Sequence, residues 1–232
     1  KKRQTFSVAN CPQILILRFM KLRPLNTSSL SITENTTLFD DGSISDADIL
    51  ISSGIQVRYV FVSSENIHTK RRFFIGSETL FDGYGIYLWT DMVSQMSVNI
   101  DGKESKIHLS LLALASEGSN IQVDGVGRVE MGSENITLRV DQTNILLGEK
   151  TSVRGKPVLE IATDSINGGH SCKVHRISGE ALFYLQSHGI DQKSAEWMLL
   201  EAEIRKHLTP LDEKNKEIQQ REIQQKLGLL KP

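Results

Sequence analysis

Apolar and polar residues alternate in several stretches of this chain. The alternation is clearest at 55–62, 107–113 and 136–140, where every second side chain is aliphatic or aromatic. A period of two residues places such side chains on one face of a β-strand. The chain from about Ser28 to Ile177 is therefore predicted to consist of strands that each bury one face.

Turn residues separate these stretches. Asp-Gly pairs occur at 41–42, 82–83, 101–102 and 124–125, and strands are predicted to start roughly every ten to fifteen residues. This spacing is typical of an all-β sandwich, of a barrel and of a stack of β-rungs. Asp-Gly turns favour hairpins and therefore a sandwich, but the spacing alone does not choose between these architectures.

The pattern changes to a helical one near the C-terminus. Three helices are predicted there, over 180–187, about 192–207 and 210–227. Ser178 and Asp191 are placed to cap the first two helices. The third is mostly Glu, Lys and Gln with a thin apolar seam, and such a helix is stable mainly when it docks onto another surface.

One apolar stripe is predicted along the second helix. Ala195, Met198, Leu199 and Ala202 follow the spacing i, i+3, i+4, i+7, which places them on one helix face. We expect this stripe to form the contact surface of the helix.

Composition excludes several classes of protein. Lys and Arg number 27 and Asp and Glu number 28, so the net charge is −1 and no strong field attracts nucleic acid or an anionic membrane. The longest apolar run, at 14–17, is far below the roughly 20 residues that cross a bilayer. Two cysteines, Cys11 and Cys172, indicate a reducing compartment and hence a cytoplasmic location.

Three segments are predicted from these patterns. They are a basic N-terminal segment at 1–27, a β-rich core at 28–177 and a helical domain at 178–232. Residues 1–33 hold six basic residues and no acid. We interpret the basic segment as a solvated edge strand or linker, and the alternative is the remnant of a targeting sequence.

Metal-binding side chains are most concentrated at His170, Cys172 and His175. On a strand the first two point to one side and His175 points to the other. At most two can therefore act together, whereas an iron–sulfur cluster needs about four protein ligands. The group is either part of an ordinary polar strand or one half of a site that a second chain completes. Phosphate loops, serine-nucleophile elbows and zinc-protease motifs are absent from the sequence.

Several longer motifs lie in the second half of the chain. They are Gln142-Thr143-Asn144 with Leu146-Leu147, Lys156-Pro157-Val158-Leu159-Glu160-Ile161, Asp164, His170, Leu182-Phe183-Tyr184-Leu185 and Gly189-Ile190. Together they resemble the SufB/SufD family, and more closely SufD, whose members typically read Lys-Pro-x-Leu-Glu-Ile and Leu-Phe-Tyr-Leu-x-Ser-Arg-Gly-Ile. The resemblance is strong over about 142–200 and looser over about 28–141.

The resemblance implies a right-handed parallel β-helix followed by a small helical domain. It also implies a non-catalytic scaffold in the SufB–SufC–SufD complex for iron–sulfur cluster assembly, with the ATPase activity in SufC. The end of the β-helix would pair with SufB, and the helices would dock SufC. The residues expected to contact SufC are Phe183, Tyr184, Trp197, Met198 and Leu199.

The resemblance assigns His170 to the family histidine, which would handle iron or a transient cluster shared with SufB. No cofactor is expected to be stably bound. The cysteine that many SufD proteins carry two residues before this histidine is Gly168 here, whereas Cys172 stands where the family has alanine. The SufB glutamate directly after the histidine is Ser171, and the family arginine before Gly-Ile is His188.

Two other functions are compatible with these residues. A β-helix that binds or cleaves carbohydrate would need a groove lined with acidic or basic residues, but aromatic residues make up only 6% of the chain. A purely structural subunit would keep the SufB and SufC contacts and contribute no ligand, in agreement with the loss of the thiol at Gly168. In the absence of these partners the chain would either form a homodimer or remain a monomer.

Overall fold

The computed structural model describes residues 21–63, 68–88 and 91–226. Predictions that concern Cys11, most of the basic segment and Leu227 lie outside these residues. Within them, fourteen strands form two sheets and are followed by three helices.

Seven strands form the first sheet, called sheet one here. In spatial order they are β1 (Lys21–Pro24), β3 (Thr36–Asp40), β5 (Gln56–Ser63), β7 (Leu80–Leu88), β9 (Lys106–Ala115), β11 (Ile136–Leu146) and β14 (Ile166–Arg176). The first of these strands lies ahead of residue 28, in the stretch that was predicted as a basic segment.

The remaining strands form sheet two. In spatial order they are β12 (Ser152–Gly155), β10 (Asn120–Val129), β8 (Asp91–Ile100), β6 (His68–Ile75), β4 (Asp46–Ile51) and β2 (Ser29–Ile32), with β13 (Val158–Ile161) also paired to β10. Pro157 lies between β12 and β13. Because proline has no N–H for a strand ladder, it is confined to sheet edges, and here it splits the last strand of sheet two into two pieces.

All the described strand pairs are parallel, and the chain passes from one sheet to the other after nearly every strand. Parallel neighbours cannot be joined by hairpins. This arrangement is a parallel β-helix, which confirms the parallel β-helix that the resemblance implied and excludes the sandwich that the Asp-Gly pairs favoured.

Two of the four Asp-Gly pairs do not form turns. Asp82-Gly83 lies inside β7 and Asp124-Gly125 lies inside β10. A Cβ on Gly125 would approach Leu111 Cδ1 to 2.8 Å, so the glycine makes room for a core side chain. The turn prediction was therefore wrong at these two sites, where glycine serves close packing instead of chain reversal.

Aliphatic side chains stack in register along the interior of the β-helix. The last residues of β2, β4, β6, β8 and β10 form one such row, which comprises Ile32, Ile51, Ile75, Ile100 and Val129. All five are buried. Each rung therefore buries its apolar face against the rungs before and after it, which is the physical reason for the alternation in the sequence.

The helices begin and end close to their predicted bounds. They are α1 (Gly179–Ser187), α2 (Gln192–Leu208) and α3 (Glu213–Lys226). Ser178 and Asp191 cap the first two as predicted, with their side chains accepting hydrogen bonds from the backbone N–H groups of Ala181 and Ser194. The third helix starts three residues later than predicted, because Asp212 accepts the capping bond from the N–H of Asn215.

The second helix packs against the outer face of sheet one. Its residues Leu200, Ile204 and Leu208 are buried in a second apolar cluster with strand residues that include Leu112 and Leu114. The predicted stripe was therefore wrong in part, because Ala202 and Met198 are exposed. The aliphatic i, i+4, i+8 series faces the sheet, since it offers more apolar area than the predicted stripe, in which two of the four residues are alanine.

Candidate functional site

The β-helix ends at a long strand with one free side. Among the described strands, β14 pairs only with β11, in a register that runs from Ile136 and Ile166 to Leu146 and Arg176. The strand has eleven residues, and Val174 is 57% exposed. An edge of this length presents backbone N–H and C=O groups that another strand can pair with.

His170 and Cys172 lie on the same face of this terminal strand, as the alternation predicted. They are in register with Val140 and Gln142, whose side chains are buried in the interior of the β-helix. Both His170 and Cys172 are exposed because no described rung covers β14. His175 is in register with Ile145, on the outward face. The site therefore presents one imidazole and one thiol side by side at the end of the β-helix.

A layer of side-chain amides lies directly below these two residues. Gln142 donates from Nε2 to Asn144 Oδ1 at 3.1 Å, and Asn144 donates from Nδ2 to the Cys172 sulfur at 3.5 Å and to the Lys173 carbonyl at 3.2 Å. Gly155 leaves space for this layer, because a Cβ there would lie 2.3 Å from Gln142 Nε2. The amides thus hold the thiol-bearing part of β14 from the interior side.

A charged group holds the same strand from the outer face. The Ser171 hydroxyl donates to Asp141 at 2.6 Å, and Arg139 Nε donates to the same carboxylate at 2.9 Å. His108 Nε2 lies 3.3 Å from it. Partial burial opposes ionisation, but the hydrogen bonds from Arg139 and Ser171 prevail and lower the pKa of Asp141, so the carboxylate stays charged.

Sequence reasoning missed this outer group. His108 and Asp141 are 33 positions apart, and no spacing rule joins residues at that separation. Only the strand register places Asp141 between Ser110 and Ser171 and beside the neighbouring His108.

The helices expose a second set of large apolar side chains. Phe183 is 73% exposed, Tyr184 is 62% exposed and Met198 is 49% exposed. Trp197 and Leu199, which were predicted to share this surface, are partly buried, and Trp197 packs against the cluster beneath α2. We call Phe183, Tyr184 and Met198 the helical apolar surface.

A cavity of about 430 Å³ lies where the β-helix meets the helices. Its lining includes the apolar residues Leu146, Leu147, Ile177, Leu182 and Leu200 and the charged residues Glu117, Arg176 and Glu196. It offers an apolar recess with charges on its lining.

No group of three or more His, Cys, Asp or Glu side chains that could hold a metal ion occurs in the described part of the chain. His170 and Cys172 provide two donors of the kind that iron and zinc accept. The residues therefore fit one half of a metal or cluster site and not a complete one. Across residues 21–63, 68–88 and 91–226, no helix is long and apolar enough to span a membrane.

Comparison with known proteins bears directly on this arrangement. A family model described as "SUF system FeS cluster assembly, SufBD core domain" matches residues 63–203, which is more than half of the chain. The chain belongs to the SufBD core family. This confirms the resemblance inferred from the motifs.

Individual SufD and SufB proteins are also similar to this chain. The iron–sulfur cluster assembly protein SufD of Bacillus subtilis (strain 168) is 26% identical over 99 residues, which are 43% of this chain and 23% of that protein. SufD of Escherichia coli (strain K12) is 39% identical over 64 residues, which are 28% of this chain and 15% of that protein. SufB of B. subtilis is 26% identical over 88 residues, which are 38% of this chain and 19% of that protein. The matched region thus spans less than a quarter of each relative.

Proposed function

We propose that this chain is a SufD-like scaffold subunit of a SufB–SufC–SufD assembly complex in the cytoplasm. Membership of the SufBD core family, whose description names iron–sulfur cluster assembly, supports this process. The observation that carries the finer proposal is the exposed terminal strand with His170 and Cys172 on one face. In this proposal the subunit has no catalytic activity, and SufC hydrolyses the nucleotide.

The free edge of β14 is the proposed contact with SufB. Its eleven residues are enough for an incoming strand to form backbone hydrogen bonds along its whole length. Such pairing would also cover Val174 and remove its apolar surface from water. A strand added here would extend sheet one across the boundary between the two subunits.

The helical apolar surface is the proposed contact with SufC. Aromatic side chains are enriched at protein interfaces because they bury a large area with few rotatable bonds. Phe183 and Tyr184 project from α1 while α2 is anchored to the sheet by Leu200 and Ile204. The first helix itself buries none of its residues and is held through its contact with α2.

Iron or a nascent cluster is the proposed cargo of His170 and Cys172. Their two donors would need about two more from the facing subunit to complete a site. Asn144 orients the thiol through its hydrogen bond to the sulfur. The cluster would then be transient, since neither subunit alone holds a complete ligand set.

A purely structural role is the second candidate. It is supported by Gly168, which stands where many SufD proteins have a cysteine. In that case the subunit would supply only the SufB and SufC contacts, and His170 would bind no iron.

The test is co-purification of the chain with the SufB and SufC of its own organism, followed by light scattering and by cluster assembly on the complex. We expect a stable three-component complex. Replacing Phe183 and Tyr184 together by Ala should weaken SufC binding at least tenfold, as for interface anchor residues, and leave SufB binding unchanged. Met131→Ala is the control, because Met131 is 83% exposed and lines a groove beside sheet two, whereas the helices pack on sheet one.

The same complex distinguishes a terminal strand that binds iron or a cluster from one that is purely structural. His170→Ala and Cys172→Ser should leave the complex intact and reduce cluster formation. Unchanged cluster formation in both variants would favour the structural role. A folded chain that binds neither SufB nor SufC would reject the scaffold proposal altogether.

A further inference from the structure

The last rung of the β-helix differs in charge from the rest of the chain. This terminal rung, defined as residues 152–176, comprises β12, β13, β14 and their connections. It carries four bases, Arg154, Lys156, Lys173 and Arg176, and two acids, Glu160 and Asp164. Its net charge is therefore +2, whereas the whole chain has a net charge of −1.

Most of this positive charge is not neutralised within the molecule. The Glu160 carboxylate is already bound at 2.6 Å by Arg128 of β10, which belongs to the preceding rung. Arg154, Lys156 and Lys173 are exposed, and none of them forms an ion pair among the described residues. The exposed end of the β-helix is thus a cationic surface.

The terminal strand itself contains no acid. Its eleven residues include Lys173, Arg176, His170 and His175. Arg176 donates from Nη1 to the carbonyl oxygen of Gly148 at 2.5 Å, a bond that fixes the guanidinium without removing its charge. Any strand that pairs with the free edge of β14 therefore approaches two basic side chains and no acidic one.

We propose that the terminal rung selects its partner by charge, accepting an acidic β-strand of a different subunit and disfavouring a second copy of this chain. The inference rests on the proposed pairing with SufB and specifies the chemistry of the SufB strand. Pairing two copies of β14 would bring four bases together with no acid between them, and like charges across paired strands are destabilising. An acidic strand would instead be attracted before contact and stabilised after it.

Ionic strength distinguishes the two kinds of pairing. Salt screens attraction and repulsion alike, with a Debye length of about 30 Å at 0.01 M and about 8 Å at 0.15 M. Binding to SufB should therefore weaken as salt is raised, and any self-association of the chain should strengthen over the same range.

The decisive variant is Lys173→Glu, measured in the full chain by sedimentation or light scattering and by titration with SufB. We expect its affinity for SufB to fall about two- to fivefold at low salt, as for an exposed charge pair, and its self-association to rise. Lys70→Glu is the control with the same charge change. Lys70 is exposed on β6, three strands from β12 in the order of sheet two, or about 14 Å at the usual strand spacing.

The possible negative results distinguish failure of the charge selection from failure of the proposed function. SufB binding that is insensitive to salt and to Lys173→Glu would overturn the charge selection and leave the proposed function intact. Equal effects of Lys173→Glu and Lys70→Glu would also overturn it, because the effect would then be one of net charge. Absence of SufB binding at every ionic strength, with the protein folded, would reject both proposals.

Discussion

At the scale of single residues, a buried ion pair lies in the interior near the N-terminal end of the β-helix. Arg71 and Asp40 are almost completely buried, and Arg71 binds the carboxylate through both Nε, at 2.5 Å, and Nη2, at 3.2 Å. Tyr59 donates a further hydrogen bond to Asp40. Burial and the adjacent Asp40 raise the pKa of Tyr59 well above its ordinary value, so its hydroxyl stays a donor.

Replacing Arg71 by Ala should lower the free energy of unfolding by about 3–5 kcal/mol, because Asp40 would remain buried without its counter-charge. Arg72→Ala is the neighbouring control. Arg72 also forms an ion pair, with Asp48, but both side chains are more than a third exposed, and such pairs contribute about 0–1 kcal/mol. Urea unfolding of both variants provides the measurement. Similar losses of unfolding free energy in the two variants would show that the buried pair contributes no more to stability than the exposed one.

At the scale of secondary-structure elements, α2 has two faces with separate roles. One face buries Leu200, Ile204 and Leu208 against sheet one, and the other exposes Met198. The buried face therefore determines where the helix lies, while the exposed face remains available for a partner. This separation lets the proposed docking surface be changed without unfolding the domain.

Ile204→Ala should reduce the free energy of unfolding by about 2–5 kcal/mol, since it leaves a cavity between the helix and the sheet. Met198→Ala should change it by less than about 0.5 kcal/mol, as expected for an exposed position. Chemical denaturation followed by circular dichroism measures both. A large loss in Met198→Ala would indicate that this side chain is part of the core and not of a docking surface.

At the scale of the whole molecule, the helices and the β-helix are joined by a buried histidine. Nε2 of His207 on α2 accepts a hydrogen bond from the Ser110 hydroxyl of β9 at 3.1 Å, and its Nδ1 donates to the Glu203 carbonyl at 2.8 Å. Burial lowers the pKa of His207 to about 4 from 6.5. The ring is therefore neutral at neutral pH, with its proton on Nδ1, where the Glu203 carbonyl accepts it.

This histidine should make the stability of the fold depend on pH. Above pH 6.5 the ring is neutral in the folded and unfolded states alike, so it has no effect. As the pH falls from about 6.5 to about 4, the unfolded state takes up the proton first, and the folded state loses up to about 3 kcal/mol.

His207→Gln serves as the reference variant, because glutamine can donate and accept hydrogen bonds but does not titrate. Unfolding free energies of both proteins at pH 7, 5.5 and 4.5 should converge as the pH falls, owing to the loss in the parent. Parallel curves would contradict the assignment of the pH dependence to His207.

The sequence alone determined the strands, the helix caps and the family. Alternation at 55–62, 107–113 and 136–140 follows from burying one face, and Ser178 and Asp191 cap helices through bonds within a few residues, so both are local properties. The motifs around 156–161 and 182–190 identified the family because they recur in its members.

Tertiary structure alone decided which distant residues meet. The pairing of Arg71 with Asp40, the group around Asp141 and the contact of His207 with Ser110 each join residues that are far apart in the chain, and they depend on the register of parallel strands. Asp82-Gly83 and Asp124-Gly125 were predicted to be turns. The local sequence does not show that a neighbouring side chain fills the space that a Cβ would occupy. The buried face of α2 was likewise decided by the sheet it packs on.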